Sequence, residues 1–189
     1  MKFINKAKSF VLASAALFIL TGCETNTSSS NSNGNTDSTA GSRARMALIG
    51  DYLYAISGED VQLLDISTPA SPNFWNRIQL DWDIETLFPY GDYLLVGSET
   101  GVHILDNSVP GSPQYLSEFS HARACDPVVA ANDIAYVTLN SSRNCWLQTA
   151  SNQLDVLDLS DMSNPTLIKT YPMQEPTGLA VKDQWLFVC

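Results

Sequence analysis

Basic side chains are scarce in this 189-residue sequence: ten Lys and Arg stand against twenty Asp and Glu, a formal net charge of −10 with neutral histidines. A protein that grips a phosphate backbone needs the opposite sign on its surface, so nucleic acid is not an expected partner. Histidine is rarer still, with only His103 and His121. Gly-x-Ser-x-Gly, His-Glu-x-x-His, a phosphate-binding glycine loop and paired Cys-x-x-Cys motifs are all missing, and with them the usual machinery for acyl transfer, zinc hydrolysis and nucleotide binding. No catalytic residue, metal ligand or cofactor is assigned on this basis. Long apolar runs are also lacking. The longest, Ser9 to Leu20, has twelve residues, where a helix needs about twenty to cross a bilayer. After Ser42 no window of a dozen residues holds a 3.6-residue apolar period, so helices are not expected there.

What is present begins with a leader. Lys2, Lys6 and Lys8 precede the apolar run, and no acidic residue interrupts them; this is the order of a signal peptide's charged and apolar regions. The run ends in Leu20-Thr21-Gly22-Cys23, which resembles the cleavage box of bacterial lipoproteins. The resemblance implies that residues 1–22 are removed and that Cys23 is acylated to become the new N-terminus. The other reading of the same residues is an ordinary signal peptide that ends beside a chance cysteine. From Glu24 to Ser42 there is no aromatic or branched aliphatic residue. Such a stretch cannot bury enough apolar surface to offset its ordering entropy. Residues 23–43 therefore read as a lipidated cysteine on a disordered tether, with a reach on the order of 25 Å. A residue other than Asp after the cysteine, here Glu24, is similar to lipoproteins sorted to the outer membrane, so a cell-envelope location at the outer membrane or cell surface is expected. Loss of residues 1–22 removes three lysines and no acid, leaving 7 Lys and Arg against 20 Asp and Glu, a balance of −13. That charge repels anionic headgroups, so the lipid would be the attachment to the membrane.

The remainder is repetitive. Gly50-Asp51-Tyr52-Leu53-Tyr54-Ala55 matches Gly91-Asp92-Tyr93-Leu94-Leu95-Val96 at an offset of 41, then Asn132-Asp133-Ile134-Ala135-Tyr136-Val137 after a further 41, then Asp183-Gln184-Trp185-Leu186-Phe187-Val188 after 51. A second marker agrees: Leu63-Leu64-Asp65-Ile66-Ser67, Ile104-Leu105-Asp106 and Val156-Leu157-Asp158-Leu159-Ser160, each with a proline seven residues past the aspartate, at Pro72, Pro113 and Pro165. Each unit divides into four short strands; in the second these fall near Thr86 to Tyr90, Tyr93 to Gly97, Val102 to Leu105 and Gln114 to Phe119. Four strands in about forty residues is the arithmetic of a propeller blade. The expected fold is all-β, a β-propeller-like array of four-stranded antiparallel blades. Its units cover 44–84, 85–125 and 126–176, with part of a fourth at 177–189. Asp65, Asp106 and Asp158 read as turn residues whose carboxylates accept backbone N–H groups, in preference to a metal role.

These motifs resemble the LVIVD repeat of bacterial and archaeal cell-surface proteins, over about Ala44 to Cys189. The resemblance implies a propeller-like fold and a surface location, and no established reaction. Three units and an unfinished fourth leave an open edge, and the chain is expected to be a fragment of a longer protein.

Cys125 and Cys145 fall at the same edge of the third unit, the latter in an insertion from Asn140 to Asn152. In an oxidising compartment they are expected to pair, the alternative being two free thiols. Asp83, Glu85, Asp126 and Glu175 stand at or before the innermost strands, and Arg143 and Trp146 lie on the insertion. Together they form a candidate ligand face: either an acidic pocket for a cation or a cationic or hydroxylated ligand, or solvated turns with Trp146 packed on its own loop. His103 alternates with apolar residues and reads as a half-exposed blade residue; His121 precedes Cys125 by four, a weak hint of a Cys-His pair. Two functions stay open. One is a binding or scaffolding module for protein, peptide or glycan. The other is an envelope hydrolase or lyase using Asp126 and Glu85 as acid and base.

Overall fold

The computed structural model describes residues 43–80, 84–121, 127–140 and 152–189. Every regular element among them is a strand. The first sheet runs β1 (Met46–Ile49), β2 (Tyr52–Ser57), β3 (Asp60–Asp65) and β4 (Asn73–Gln79); the second β5 (Ile84–Tyr90), β6 (Tyr93–Ser98), β7 (Gly101–Asp106) and β8 (Gln114–Ser120). The third holds β9 (Val128–Ala131), β10 (Ile134–Leu139), β11 (Gln153–Asp158) and β12 (Thr166–Pro172), and a two-stranded fourth holds β13 (Leu179–Lys182) and β14 (Trp185–Val188). All pairings are antiparallel, and neighbours in sequence are neighbours in each sheet. The expected strands of the second unit lie within two residues of those found. The first strands of successive sheets adjoin one another, β1 by β5, β5 by β9 and β9 by β13. This is a propeller-like array of blades with an unclosed end.

The first hairpin of every sheet has a two-residue turn at the repeat marker, since Ile49 pairs with Tyr52, Tyr90 with Tyr93, Ala131 with Ile134 and Lys182 with Trp185. The turn opens on a left-handed residue each time: Gly50 (φ 58°), Gly91 (φ 55°), Asn132 (φ 52°) and Asp183 (φ 53°). Glycine reaches that region without a Cβ penalty, and Asn and Asp tolerate it best among the others. The end of the third strand is then tied back to this turn. The N–H groups of Ile66, Asn107 and Leu159 donate to the carbonyls of Asp51, Asp92 and Asp133 at 2.8, 2.7 and 2.8 Å. One residue earlier, Asp65, Asp106 and Asp158 each accept the N–H of the serine two positions on, at 2.8, 2.9 and 2.8 Å. Bonds from that serine's hydroxyl and N–H hold all three carboxyls below the usual aspartate range.

The second sheet is covered on both faces, and its alternation divides the core in two. Leu87, Leu94, Val96 and Leu105 pack with Ala47, Tyr54, Val61 and Leu63 of the first sheet. Phe88, Leu95, Val102 and Ile104, on the opposite face, pack with Val128, Ala135, Val137, Leu157 and Leu159 of the third. The near-continuous apolar runs of β6 and β7 follow from this double burial. Each fully buried leucine contributes roughly 1.5–3 kcal/mol.

One irregularity repeats in all three complete sheets. The outer strand slips by one residue between Leu63 and Leu64, between Ile104 and Leu105, and between Val156 and Leu157. The bulge leaves Trp75, Leu116 and Ile168 without a partner opposite. Trp75 sets its ring 5.7 Å from that of Tyr52 in its own sheet and reaches the next unit through Nε1, which donates to the carbonyl of Gly111 at 2.9 Å. The N–H of Gly111 in turn donates to the Tyr54 hydroxyl at 3.0 Å. A Cβ on Gly111, whose φ is +86°, would stand 2.5 Å from the Tyr52 ring. At the next boundary the Ser117 hydroxyl donates to the carbonyl of Met162 in the corresponding loop.

Candidate functional site

The repeat offset explains where a cavity lined by described residues lies. Residues 41 apart occupy equivalent places in adjoining first strands, so Arg45, Thr86 and Pro127 share one level of the array, and Ala44 and Glu85 share the level beside it. At this edge a cavity of about 270 Å³ opens, lined by Arg43, Arg45, Glu85, Thr86 and Pro127, with Asn140, Pro176 and Thr177 completing the wall. Residues from all four units thus converge on one cup.

Its walls are fixed by hydrogen bonds. The carbonyl of Ala44 accepts from the N–H of Leu87 on β5 at 2.8 Å, and that of Arg45 from the N–H of Ile56 on β2 at 3.0 Å. The buried Asn140 donates through Nδ2 to the carbonyl of Pro176 at 2.8 Å. Arg43 donates through Nη1 to the carbonyl of Thr177 at 3.3 Å. Chemically the cup offers two guanidiniums, one carboxylate, hydroxyls and an amide, with two prolines among its lining.

Of the expected ligand face, Glu85 lines this cup. Glu175 is exposed, holds a left-handed φ of 45° and directly precedes the lining Pro176. Asp83, Asp126, Arg143 and Trp146 lie outside the described residues, as do Cys23 and the expected Cys125–Cys145 pair. Cys189 is a free, exposed thiol. Arg43 and Arg45 are not among the expected site residues: the first ends the expected tether, and the second falls in the first unit with no role of its own. Their positions one repeat before Ile84 and Thr86 were the available signal. The expectation for His103 needs correcting. It is buried, with 5 % of its surface exposed, because Tyr115 and Glu118 of the outer strand cover it: the Tyr115 ring lies 6.1 Å away.

His103 also belongs to an unexpected line of polar groups. Its Nε2 lies 3.3 Å from the Ser98 hydroxyl, and its Nδ1 lies 3.6 Å from Oε2 of Glu118. The order serine, histidine, carboxylate is that of a hydrolytic triad, but the chemistry is blocked. Ser98 is wholly buried. Its hydroxyl also lies 3.0 Å from the carbonyl of Gly101, which can only accept, so that carbonyl competes with His103 for the one hydroxyl proton. Glu118 is also engaged by the hydroxyls of Ser120 at 2.8 Å and Tyr115 at 3.4 Å. Among the described residues no group of three or more His, Cys, Asp or Glu is placed to hold a metal ion, and no helix is long and apolar enough to span a membrane.

Comparison with known proteins agrees with the repeat. A model of the LVIVD repeat matches residues 40–79 and 149–172. No curated protein matches the chain. Among solved structures, one similar chain is a protein of Desulfotomaculum acetoxidans described as functionally unknown, at 16% identity and a TM-score of 0.49, over 74% of this chain and 43% of that one. Another is the N-terminal domain of Nup159, at 12% identity and a TM-score of 0.43, over 74% of this chain and 40% of that one. The chain thus spans less than half the length of either. Strand register and turn chemistry agree with that match: residues 40–79 and 149–172 are similar to the LVIVD repeat.

Proposed function

We propose that the protein is a membrane-anchored surface lipoprotein whose propeller-type repeats act as a binding or scaffolding module for a protein, peptide or glycan of the cell envelope. The anchor rests on Leu20-Thr21-Gly22-Cys23 and the polar segment from Glu24 to Ser42. The binding role rests chiefly on one observation, the 270 Å³ cup to which all four units contribute polar side chains. Glu85 and Thr86 stand on β5, and the other lining residues flank strands, held there by the bonds of Ala44, Arg45, Asn140 and Arg43 described above, which lowers the ordering cost left for the moment of binding. A hydrolase or lyase at the same mouth would need a second carboxylate working opposite Glu85. The described lining instead sets two guanidiniums in the cup with it.

The test is capture from envelope extracts by the full chain, purified in detergent and immobilised. A defined component should be retained by the parent and lost from an Arg45→Glu variant of unchanged circular dichroism. Equal retention by both would remove the cup from the binding site.

A further inference from the structure

We propose that the cup takes a hydroxylated carboxylate of monosaccharide size, the uronic-acid class, with Arg43 and Arg45 as the anchors for its anion. This rests on the binding role above and names the ligand of the same cavity.

Cations are few in this chain, ten against twenty acids, and three of the ten precede residue 9. Two of the remaining seven stand at positions 43 and 45 and both line the cup. Neither is ion-paired among the described residues; Arg77 is, to Asp60 at 3.4 Å. The backbone between the two is pinned on both sides, to Leu87 and Ile56, so the guanidiniums project from a fixed base. The Arg43 bond to Thr177 uses one of five N–H donors. A carboxylate is the partner that planar forks of this kind engage in pairs.

The opposing wall narrows the choice. Glu85 faces the same space, and its negative charge disfavours a dianion such as phosphate while accepting hydrogen bonds from hydroxyls. The guanidiniums disfavour a bare cation. The ligand therefore carries one negative charge and several hydroxyl donors. A volume of 270 Å³ is just under the roughly 300 Å³ where sites for drug-sized molecules begin, so a single sugar ring is the fitting size. Pro127 and Pro176 supply apolar surface for the C–H face of such a ring.

Isothermal titration of the full chain in detergent tests this, with sodium glucuronate as the probe and glucose, glutamate and inorganic phosphate as comparators. Glucuronate should bind saturably, at least about tenfold more tightly than glucose, and should weaken as salt is raised. Arg45→Gln should abolish that binding, Arg43→Gln should reduce it, and Arg77→Gln, outside the cup, should leave it intact. Equal affinity for glucose, tighter binding of phosphate or glutamate, or full affinity in a folded Arg45→Gln chain would overturn the assignment. An envelope component still captured by a chain that ignores glucuronate would overturn the ligand class alone. Failure of both capture and titration would overturn the binding role with it.

Discussion

The guanidinium of Arg43 donates to the carbonyl of Thr177 across the mouth of the cup, joining residues 134 positions apart at 3.3 Å. The contact links the segment that enters the first sheet to the segment that enters the fourth. A long-range bond of this kind is set by the stacking of repeated units and by no local propensity, which is why the working edge of the array is a property of the assembled sheets.

The boundary between the first two sheets makes a sharp stability prediction. The Tyr54 hydroxyl donates to Oδ1 of Asn107 at 2.7 Å and accepts from Gly111 N–H at 3.0 Å, all buried. Tyr54→Phe strands both partners and should cost about 1–3 kcal/mol in urea unfolding. By the repeat, the equivalent pair at the next boundary is Leu95 and Leu159, both in the same apolar cluster. Converting Tyr54 and Asn107 together to leucine should recover much of the loss. Gly111→Ala meets both a left-handed φ and the Tyr52 ring, and should cost about 3 kcal/mol. A measured change under 0.5 kcal/mol, the rough scatter of neutral substitutions, would refute the clasp.

Acid should weaken the fold through the repeated aspartates. Hydrogen bonds from the following serines lower the carboxyl pKa of Asp65, Asp106 and Asp158, and Ser163 does the same for Asp161. A depressed folded-state pKa means that these groups stabilise the protein above the unfolded value of about 3.9 and that the contribution is lost as pH falls through the folded values. The urea midpoint should hold level down to about pH 5 and decline below about pH 4. The triple change of Asp65, Asp106 and Asp158 to asparagine keeps an acceptor for the turn but cannot titrate, and should flatten that decline. An unaltered slope would show that these turns do not couple to acid unfolding.

Tyrosine sets the opposite limit. Burial raises the pKa of Tyr54, so the stability tied to its neutral hydroxyl is complete below about pH 10 and lost as pH climbs through the folded value. Tyr54→Phe should remove that alkaline component from the unfolding curve.

Ser98 should be inert. A fluorophosphonate probe should leave it unlabelled in the folded chain, and Ser98→Ala should cost about 1 kcal/mol through the lost bond to Gly101. Labelling of Ser98 under native conditions would make the buried line a working hydrolytic centre.

The anchor and the disulfide can be tested by mass and fractionation. Cys23→Ser should abolish acylation and move the chain from the membrane fraction to the soluble one. Non-reducing peptide mapping should link Cys125 to Cys145, a closure contributing roughly 3 kcal/mol. A Cys125–Cys189 link would overturn that pairing.

Much of the fold was legible because its signals are local. Gly50, Gly91, Asn132 and Asp183 each announce a two-residue hairpin by chemistry alone, and the aspartates at 65, 106 and 158 bond to groups two residues away. The cup was legible only at Glu85. Arg43 and Arg45 lie next to it only once the first strands stand side by side, and a lone arginine after a polar segment has no local signature. The outer-strand bulges were invisible for a related reason, since a slipped register depends on what the strand packs against. The burial of His103 likewise follows from Tyr115 and Glu118, which the alternation of β7 alone does not reveal.

The second sheet, sandwiched on both faces, has a consequence for how the molecule breathes. Its middle strands, β6 and β7, are buried along nearly their whole length, whereas the outer strands β4 and β12 are almost entirely solvated. Opening β6 requires pulling away a neighbour on each side, so its amide protons should exchange with deuterium only when the whole array melts. Those of β4 and β12 should exchange by local fraying, long before. The protein then has a slow centre and quick margins, and deuterium uptake of peptides from β6 reads out its global stability directly.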